Sequence, residues 1–287
     1  MVVDDLFLKG EFMPLASGTV SVLDRGFQFG DGAYEVVRFR GERFLWLDEH
    51  MERLRRSLAA LAMPSADVAA RLAAILPELA SRSGYPEGSA YLQVTRGAAP
   101  RDFALPSEPV LTELAYVRPH TFLSWEEVNA GTTALLQEDM RWARCDVKSV
   151  SLLAAVMGKA VAAAAGTAEV IWVGTDGSVR EGGSCNIFAV VDGELRTHPT
   201  DRHVLDGITR RRVLELAHGA GIAVREDPVT RDELSQADEV FLSSTMRDVL
   251  PILRIDDLPV GDGRPGLVTL RIAEMLRAAV TVELAVP

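Results

Sequence analysis

The segment "RCDVKSVSLLAAVM" at positions 144 to 157 sets one lysine, Lys148, directly ahead of an almost unbroken apolar run. Lysine is scarce in this chain: Lys9, Lys148 and Lys159 stand among 30 basic residues, the others being arginine. A desolvated amine can lose its proton and form Schiff bases with carbonyl compounds, which a guanidinium cannot do. The plainer alternative is a lysine that buries its stem and snorkels its ammonium to water. Further along, Gly207-Ile208-Thr209 opens a helical pattern, where N–H groups and the helix dipole favour a phosphate. Ser244-Thr245 sits in a turn between apolar strands, and Glu181 stands at a strand end. Taken singly, these read as a helix cap, a turn and a partly exposed charge. Taken together, they match the three handles of pyridoxal 5'-phosphate (PLP): amine to aldehyde, N–H and hydroxyl groups to phosphate, carboxylate to ring nitrogen.

Other chemistries find no support. There is no G-x-G-x-x-G after a strand, no P-loop, no H-E-x-x-H and no G-x-S-x-G. The five histidines are scattered, His198 and His203 being the closest pair, so no metal site is expected. A net charge of -11 and a pI near 5.0 disfavour nucleic acid or anionic membrane as partner, and the run "TRRRV" at 209 to 213 is too short to reverse that. The start "MVVDDLFLKG" has no basic region followed by an apolar one, and no apolar stretch long enough to span a bilayer occurs. Cys145 and Cys185 cannot build a disulfide framework and suit a reducing compartment. A soluble cytoplasmic protein is expected.

The elements that must position these residues follow from periodicity. Hairpins are expected at Lys9-Gly10 and Gly41, a helix over 49–62 ended by Pro64, and a second helix near 66–83. "SAYLQVTRG" and "VLTELAYVRP" read as strands separated by the loop "AAPRDFALPSEP". The pattern breaks near Pro119 to Trp125, giving an N-terminal α/β domain over 1–120 and a C-terminal domain over 121–287. In the second half, "TTALLQEDMRW" reads as a strand. Val150, Leu153, Met157, Ala160, Val161 and Ala164 trace a helical face, which puts Lys148 at a strand-to-helix junction. Three or four strands with Asp-Gly turns at 176–177 and 192–193 follow, then a helix from Gly207 to Gly219 or Gly221, a strand–turn–strand over 237–253, and a last helix near 268–279.

The motifs "DRGFQFGDGAYEVVR", "EHMERL", "VTRGAAPR", "RCDVKS", "REGGSCNIF", "HVLDGITR" and "FLSSTMRDV", in this order from about Leu23 to Gly266, resemble the fold-type IV PLP enzymes, the class IV aminotransferases. Within them the chain is most similar to the D-amino acid aminotransferases. The resemblance implies a two-domain α/β (α+β) fold, a smaller N-terminal domain and a larger barrel-like C-terminal one, enclosing PLP. It makes Lys148 the Schiff-base lysine and Glu181 the partner of the pyridine nitrogen. It gives the phosphate to Arg53, Gly207, Ile208, Thr209, Ser244 and Thr245, packs Leu205 on the ring and sets Ser184 beside it. It implies amino acid and keto acid substrates, such as D-alanine and 2-oxoglutarate, and a homodimer whose partner completes the pocket; whether (R)-amines are also used is left open by the sequence. Branched-chain aminotransferase and aminodeoxychorismate lyase are the alternatives of the same fold; "PRDFALP" after Gly97 is closer to the D-amino acid enzymes. One departure stands out: where those enzymes follow the loop arginine with a histidine two residues later, this chain has Arg101 and Phe103. Period-2 alternation puts Tyr34, Val36 and Arg38 on one strand face. The resemblance aims Tyr34 into the pocket. Arg38 then either joins it in holding the substrate carboxylate or is a rim arginine paired with an acid.

Overall fold

The computed structural model describes residues 5–64 and 66–285. The chain forms two compact units, one of Met1–Thr121, Val147–Ser151 and Glu283–Pro287, the other of Phe122–Asp146 and Leu152–Val282.

The first unit contains β1 (Asp5–Leu8), β2 (Glu11–Pro14), α1 (Arg25–Phe29), β3 (Gly32–Arg40), β4 (Arg43–Phe44), α2 (Leu47–Ala60), α3 (Ala66–Ser83), β5 (Glu87–Thr95) and β6 (Thr112–Pro119). Its six strands form an antiparallel sheet in the order β2-β1-β6-β5-β3-β4. The first hairpin turns at Lys9 and Gly10, both at positive φ, which matches the twist of the flanking strands. Alternation sorts the sheet into two faces. Ala33, Val37, Phe39, Ala90, Leu92, Val94, Ala115 and Val117 pack with Met51, Leu54 and Leu58 of α2 and Leu72, Leu76 and Leu79 of α3 in one buried core. Tyr34, Val36 and Arg38 lie on the other face, opposite Gln93, Tyr91 and Ser89 of β5.

The lysine segment joins this unit for a physical reason. Along one edge β3 pairs with β5 throughout, but on the other β4 covers only Phe39 and Arg40. Residues 148–150 take the remaining edge: Tyr34 N donates to Lys148 O at 3.1 Å, Val150 N donates to Gly32 O at 3.0 Å, and Ala33 bridges Ser149.

The second unit contains α4 (Trp125–Ala130), β7 (Thr132–Glu138), α5 (Leu153–Ala164), β8 (Glu169–Val173), β9 (Val179–Gly182), β10 (Asn186–Val191), β11 (Glu194–Thr197), α6 (Ile208–Gly219), β12 (Val224–Glu226), α7 (Arg231–Ser235), β13 (Glu239–Ser244), β14 (Asp248–Ile255), β15 (Leu258–Pro259) and α8 (Leu267–Glu283). Its sheet runs β12-β11-β10-β13-β14-β7-β8-β9, and β9 also pairs β10 through Glu181 and Asn186. That last pairing closes six strands into a ring, the barrel-like domain expected from the resemblance. The Asp-Gly turns fall where expected, with Gly177 and Gly193 at positive φ.

Several boundaries differ from the reading of the sequence: α2 spans Leu47–Ala60 and not 49–62, β7 ends at Glu138, and α5 and α8 differ as well. α5 begins at Leu153, not Val150, because Val150 is committed to the edge of β3. Its apolar face is exposed, Leu153 by 72% and Val156 by 61%, so the periodicity marked a surface of this chain and not its core. α8 runs from Leu267 to Glu283, four residues past the expected end. Among the described residues, no helix is long and apolar enough to cross a membrane.

Candidate active site

In the first unit, Lys148 is half-buried, and its Nζ lies 4.2 Å from the centroid of the Tyr34 ring, a cation–π contact. Its backbone is fixed on both sides: O accepts from Tyr34 N, and N donates to the Oγ of Ser57 at 3.2 Å. Tyr34 begins an aromatic series on the sheet, stacked on Tyr91 at 5.7 Å, which stacks on Tyr116 at 5.2 Å. Val36 is half-buried, and Arg38, on the same face, is 1% exposed, which removes it from the rim.

Arg53 projects from α2 and is nearly fully buried. Its Nε and Nη2 donate to the two oxygens of Glu35 at 2.7 and 2.8 Å, and His50 Nδ1 meets Glu35 Oε2 at 2.8 Å. Burial works hardest against the Glu35 carboxylate, yet the charge and hydrogen bonds of Arg53 outweigh it and hold the group far below the usual range. Burial, with the nearby charges of Arg53 and Lys148, pushes His50 below its ordinary pKa. A neutral His50 facing a carboxylate must carry its proton on Nδ1. Removing Arg53 would strand a buried charge, which costs about 3–5 kcal/mol.

Arg101 and Phe103 converge on Phe29 of α1: the Arg101 guanidinium lies 5.1 Å from that ring, and the Phe103 ring lies 5.7 Å from it. The loop carrying them is held by Arg25, whose Nη1 donates to Asp102 O at 2.6 Å, while its Nε donates to Asp31 at 2.8 Å. Phe103 is itself 83% exposed.

In the second unit, Glu181 sits at the ring-closing pair and both its oxygens are engaged. Oε1 accepts from Arg141; Oε2 accepts from Leu205 N at 3.0 Å and from Asn186 Nδ2 at 3.3 Å. Arg141 is braced by Asp139 through bonds of 2.8 and 2.9 Å, and by His203 O at 3.1 Å. Burial disfavours the Arg141 cation, but the bonds to Asp139 and the charge of Glu181 outweigh it and raise its pKa. Leu205 thus meets Glu181 through its backbone, and Asn186 Nδ2 returns a bond to Leu205 O at 2.9 Å.

α6 starts immediately beyond. Gly207 is its N-cap with no side-chain cap, the first turn holds no acid, and Gly207, Ile208 and Thr209 are buried. A Cβ at Gly207 would lie 2.1 Å from Asn186 Oδ1, so the close approach requires glycine. Ser244 and Thr245 are half-buried in the β13–β14 turn, where Ser244 Oγ accepts from Arg247 N at 3.2 Å, and Ser184 is exposed. A buried helix start that its own sequence leaves uncapped, with hydroxyls in the same unit, fits a phosphate; a carboxylate paired with an arginine fits a ring N–H.

Reading the sequence did not single out Glu35, His50, Arg141 or Asn186. Glu35 had a signal: it occupies a core-facing position of an alternating strand, where a carboxylate demands a buried partner. Arg141 and Asn186 had none beyond neighbouring motifs, because their partners are 40 and 5 residues away and only strand closure brings them together.

Residues 32–255 match the family model described as amino-transferase class IV. The chain is 39% identical over 280 residues to the D-alanine aminotransferase of Bacillus licheniformis, covering 98% of each. It is 34% identical over 277 residues to that of Staphylococcus aureus (strain COL), covering 95% of this chain and 96% of the relative. The branched-chain amino acid aminotransferase from Escherichia coli matches its fold with a TM-score of 0.89 at 26% identity, over 99% of this chain and 96% of that one. The branched-chain aminotransferase from the archaeon Thermoproteus uzoniensis with norvaline gives 0.85 at 27%, over 98% and 96%. The chain belongs to the class IV aminotransferases. Its activity is that of a PLP-dependent transaminase of the D-amino acid type, and the expected family, fold and cofactor are borne out.

Proposed function

We propose that Lys148 is the cofactor lysine and Glu181 the acid at the pyridine nitrogen of a transaminase that exchanges the amino group of D-alanine or similar D-amino acids with a 2-oxo acid. Arg53, Gly207, Ile208, Thr209, Ser244 and Thr245 hold the phosphate, and Leu205 and Ser184 adjoin the ring. PLP, when bound, supplies a ring that draws in the electron pair released at the substrate Cα. Lys148 Nζ would take the Cα proton as general base and, as general acid, deliver a proton to C4' within the same half-reaction, the second substrate running both transfers in reverse. Tyr34 orients that amine through its ring face. The Glu181 carboxylate, paired with Arg141, would accept the ring N–H and hold that proton in place. Arg101, with Tyr34, Val36, Arg38 and Phe103, takes the substrate carboxylate and side chain.

The observation that carries this reading is the buried, uncapped start of α6 in the unit that also holds the Arg141-braced Glu181. Higher identity to D-alanine enzymes than to branched-chain ones favours D-amino acids. A homodimer with the active site near its interface is supported by exposed apolar side chains, on α5 in one unit and at Phe27, 74% exposed, and Phe103 in the other. Two free thiols suit the reducing cytoplasm. The test mixes holoenzyme with D-alanine, D-glutamate or L-leucine and follows loss of the yellow PLP band. Conversion by the D-amino acids alone supports the reading; conversion by L-leucine alone returns it to the branched-chain enzymes. Light scattering at the mass of one chain would remove the dimer.

A further inference from the structure

Glu169, at the start of β8, belongs to none of the roles above, yet its carboxylate is fully buried. Oε1 accepts from Val170 N at 3.0 Å and Gly183 N at 3.1 Å. Oε2 meets Lys159 Nζ at 2.9 Å, accepts from Arg247 Nη2, and lies 3.5 Å from the Cys185 thiol. Burial disfavours its charge most, but Arg247 and Lys159 together hold the carboxyl below its ordinary pKa.

The origins of these donors give the cluster its meaning. Gly183 and Cys185 flank Ser184. Arg247 ends the turn that presents Ser244 and Thr245, and its N also bonds Ser244 Oγ. Lys159 comes from α5 and donates to Ala168 O at 2.9 Å as well. A Cβ at Gly183 would stand 3.1 Å from Glu169 Oε1, so the loop lies tightly against the carboxylate. We propose that Glu169 is a positioning residue: through Gly183 N and Arg247 it locks the loop bearing Ser184 and the turn bearing Ser244-Thr245 into one register. It rests on the assignment of that turn to the cofactor phosphate. Groups that orient binding groups from behind need this kind of locked support.

Electrostatics alone and positioning predict opposite signs. Glu169→Gln removes a negative charge near the proposed phosphate site, so Coulomb attraction alone would tighten PLP. Loss of the lock loosens it. The experiment strips and reloads the holoenzyme with PLP and with pyridoxal, which lacks the phosphate, for the parent, Glu169→Gln, Arg247→Met and the double variant, with Tm as the check on folding. Positioning predicts that each single variant raises the PLP dissociation constant about tenfold or more while pyridoxal changes by less than about threefold, and that the double variant is no worse than the weaker single one. Tighter or unchanged PLP binding by Glu169→Gln, or equal weakening of PLP and pyridoxal, overturns it. Should Glu169→Gln fail to fold, Arg247→Met, whose side chain is 23% exposed, carries the same test. Thr209→Val separates the two assignments: if the parent does not prefer PLP to pyridoxal, or keeps that preference with Thr209→Val, the phosphate site itself fails and this proposal with it.

Discussion

Two helices of the second unit begin in opposite ways. α7 is closed by its own sequence: Thr230 Oγ1 accepts from Glu233 N at 3.2 Å, and the Glu233 carboxylate accepts from Thr230 N at 2.8 Å, a complete capping box. α4 does the same with Ser124 and Glu127, and α8 borrows Glu239, which accepts from Val268 N at 3.0 Å and Thr269 N at 2.7 Å. α6 has neither cap nor first-turn acid, and its start is buried. α5 also lacks a cap, but Leu153 at its start is 72% exposed, where water can serve its N–H groups. The contrast locates where the chain leaves room for an anion: a helix start that is hidden from water and given no acid of its own is a place for something else to fill.

Substitution of Lys148 should do the most damage. Lys148→Ala should lower turnover with D-alanine by about 10³-fold or more, since one proton transfer loses its base and the other its acid, and Lys148→Arg should do no better. Stopped-flow half-reactions check it. Next comes a change that gives α6 a first-turn acid as α7 has: Thr209→Asp places a carboxylate at the helix start and should weaken PLP about a hundredfold, because it repels the phosphate. Titration of the stripped enzyme with PLP measures it. Glu181→Gln should slow the amino-donor half-reaction about tenfold, or about 1.4 kcal/mol of barrier.

The mildest changes belong to α7, the helix that needs no ligand. Thr230→Ala should cost about 1 kcal/mol of stability in thermal unfolding and leave PLP affinity unchanged. Glu233 is pushed from 4.5 down to about 2, chiefly by the N–H of Thr230 and then by Arg196. Its folded value lies below its unfolded one, so its stabilisation is full above about pH 4.5 and is lost as pH falls through about 2. Glu233→Gln should therefore unfold earlier than the parent near neutrality and match it at the acid end of that window.

Much of this was legible in the residues. The alternation of "YEVVRF" gave the two faces of β3, and Gly207 gave the start of α6 where it stands. Lys148 was placed between a strand and a helix, which holds, but its bond to the edge of β3 was not readable, because edge pairing depends on how little of that edge β4 covers. Arg53 could be named from its motif, and Glu35 carried a signal as an acid on the core face of β3, but their partnership with His50 could not be read, since it is set by the packing of α2 on the sheet and not by spacing. The apolar stripe of α5 had the right period and the wrong side: periodicity says that a face is covered, not by what.

Every step of the proposed chemistry depends on Lys148 carrying the cofactor, and the scarcity of lysine opens that assignment to a direct reading. Borohydride reduction of the holoenzyme fixes the carbon–nitrogen double bond between PLP and its lysine, and peptide mass spectrometry then locates the adduct among Lys9, Lys148 and Lys159. The expected product is a stoichiometric phosphopyridoxyl group on the peptide containing Lys148. Its appearance on Lys159 or Lys9, or its absence from yellow enzyme, would refute the assignment.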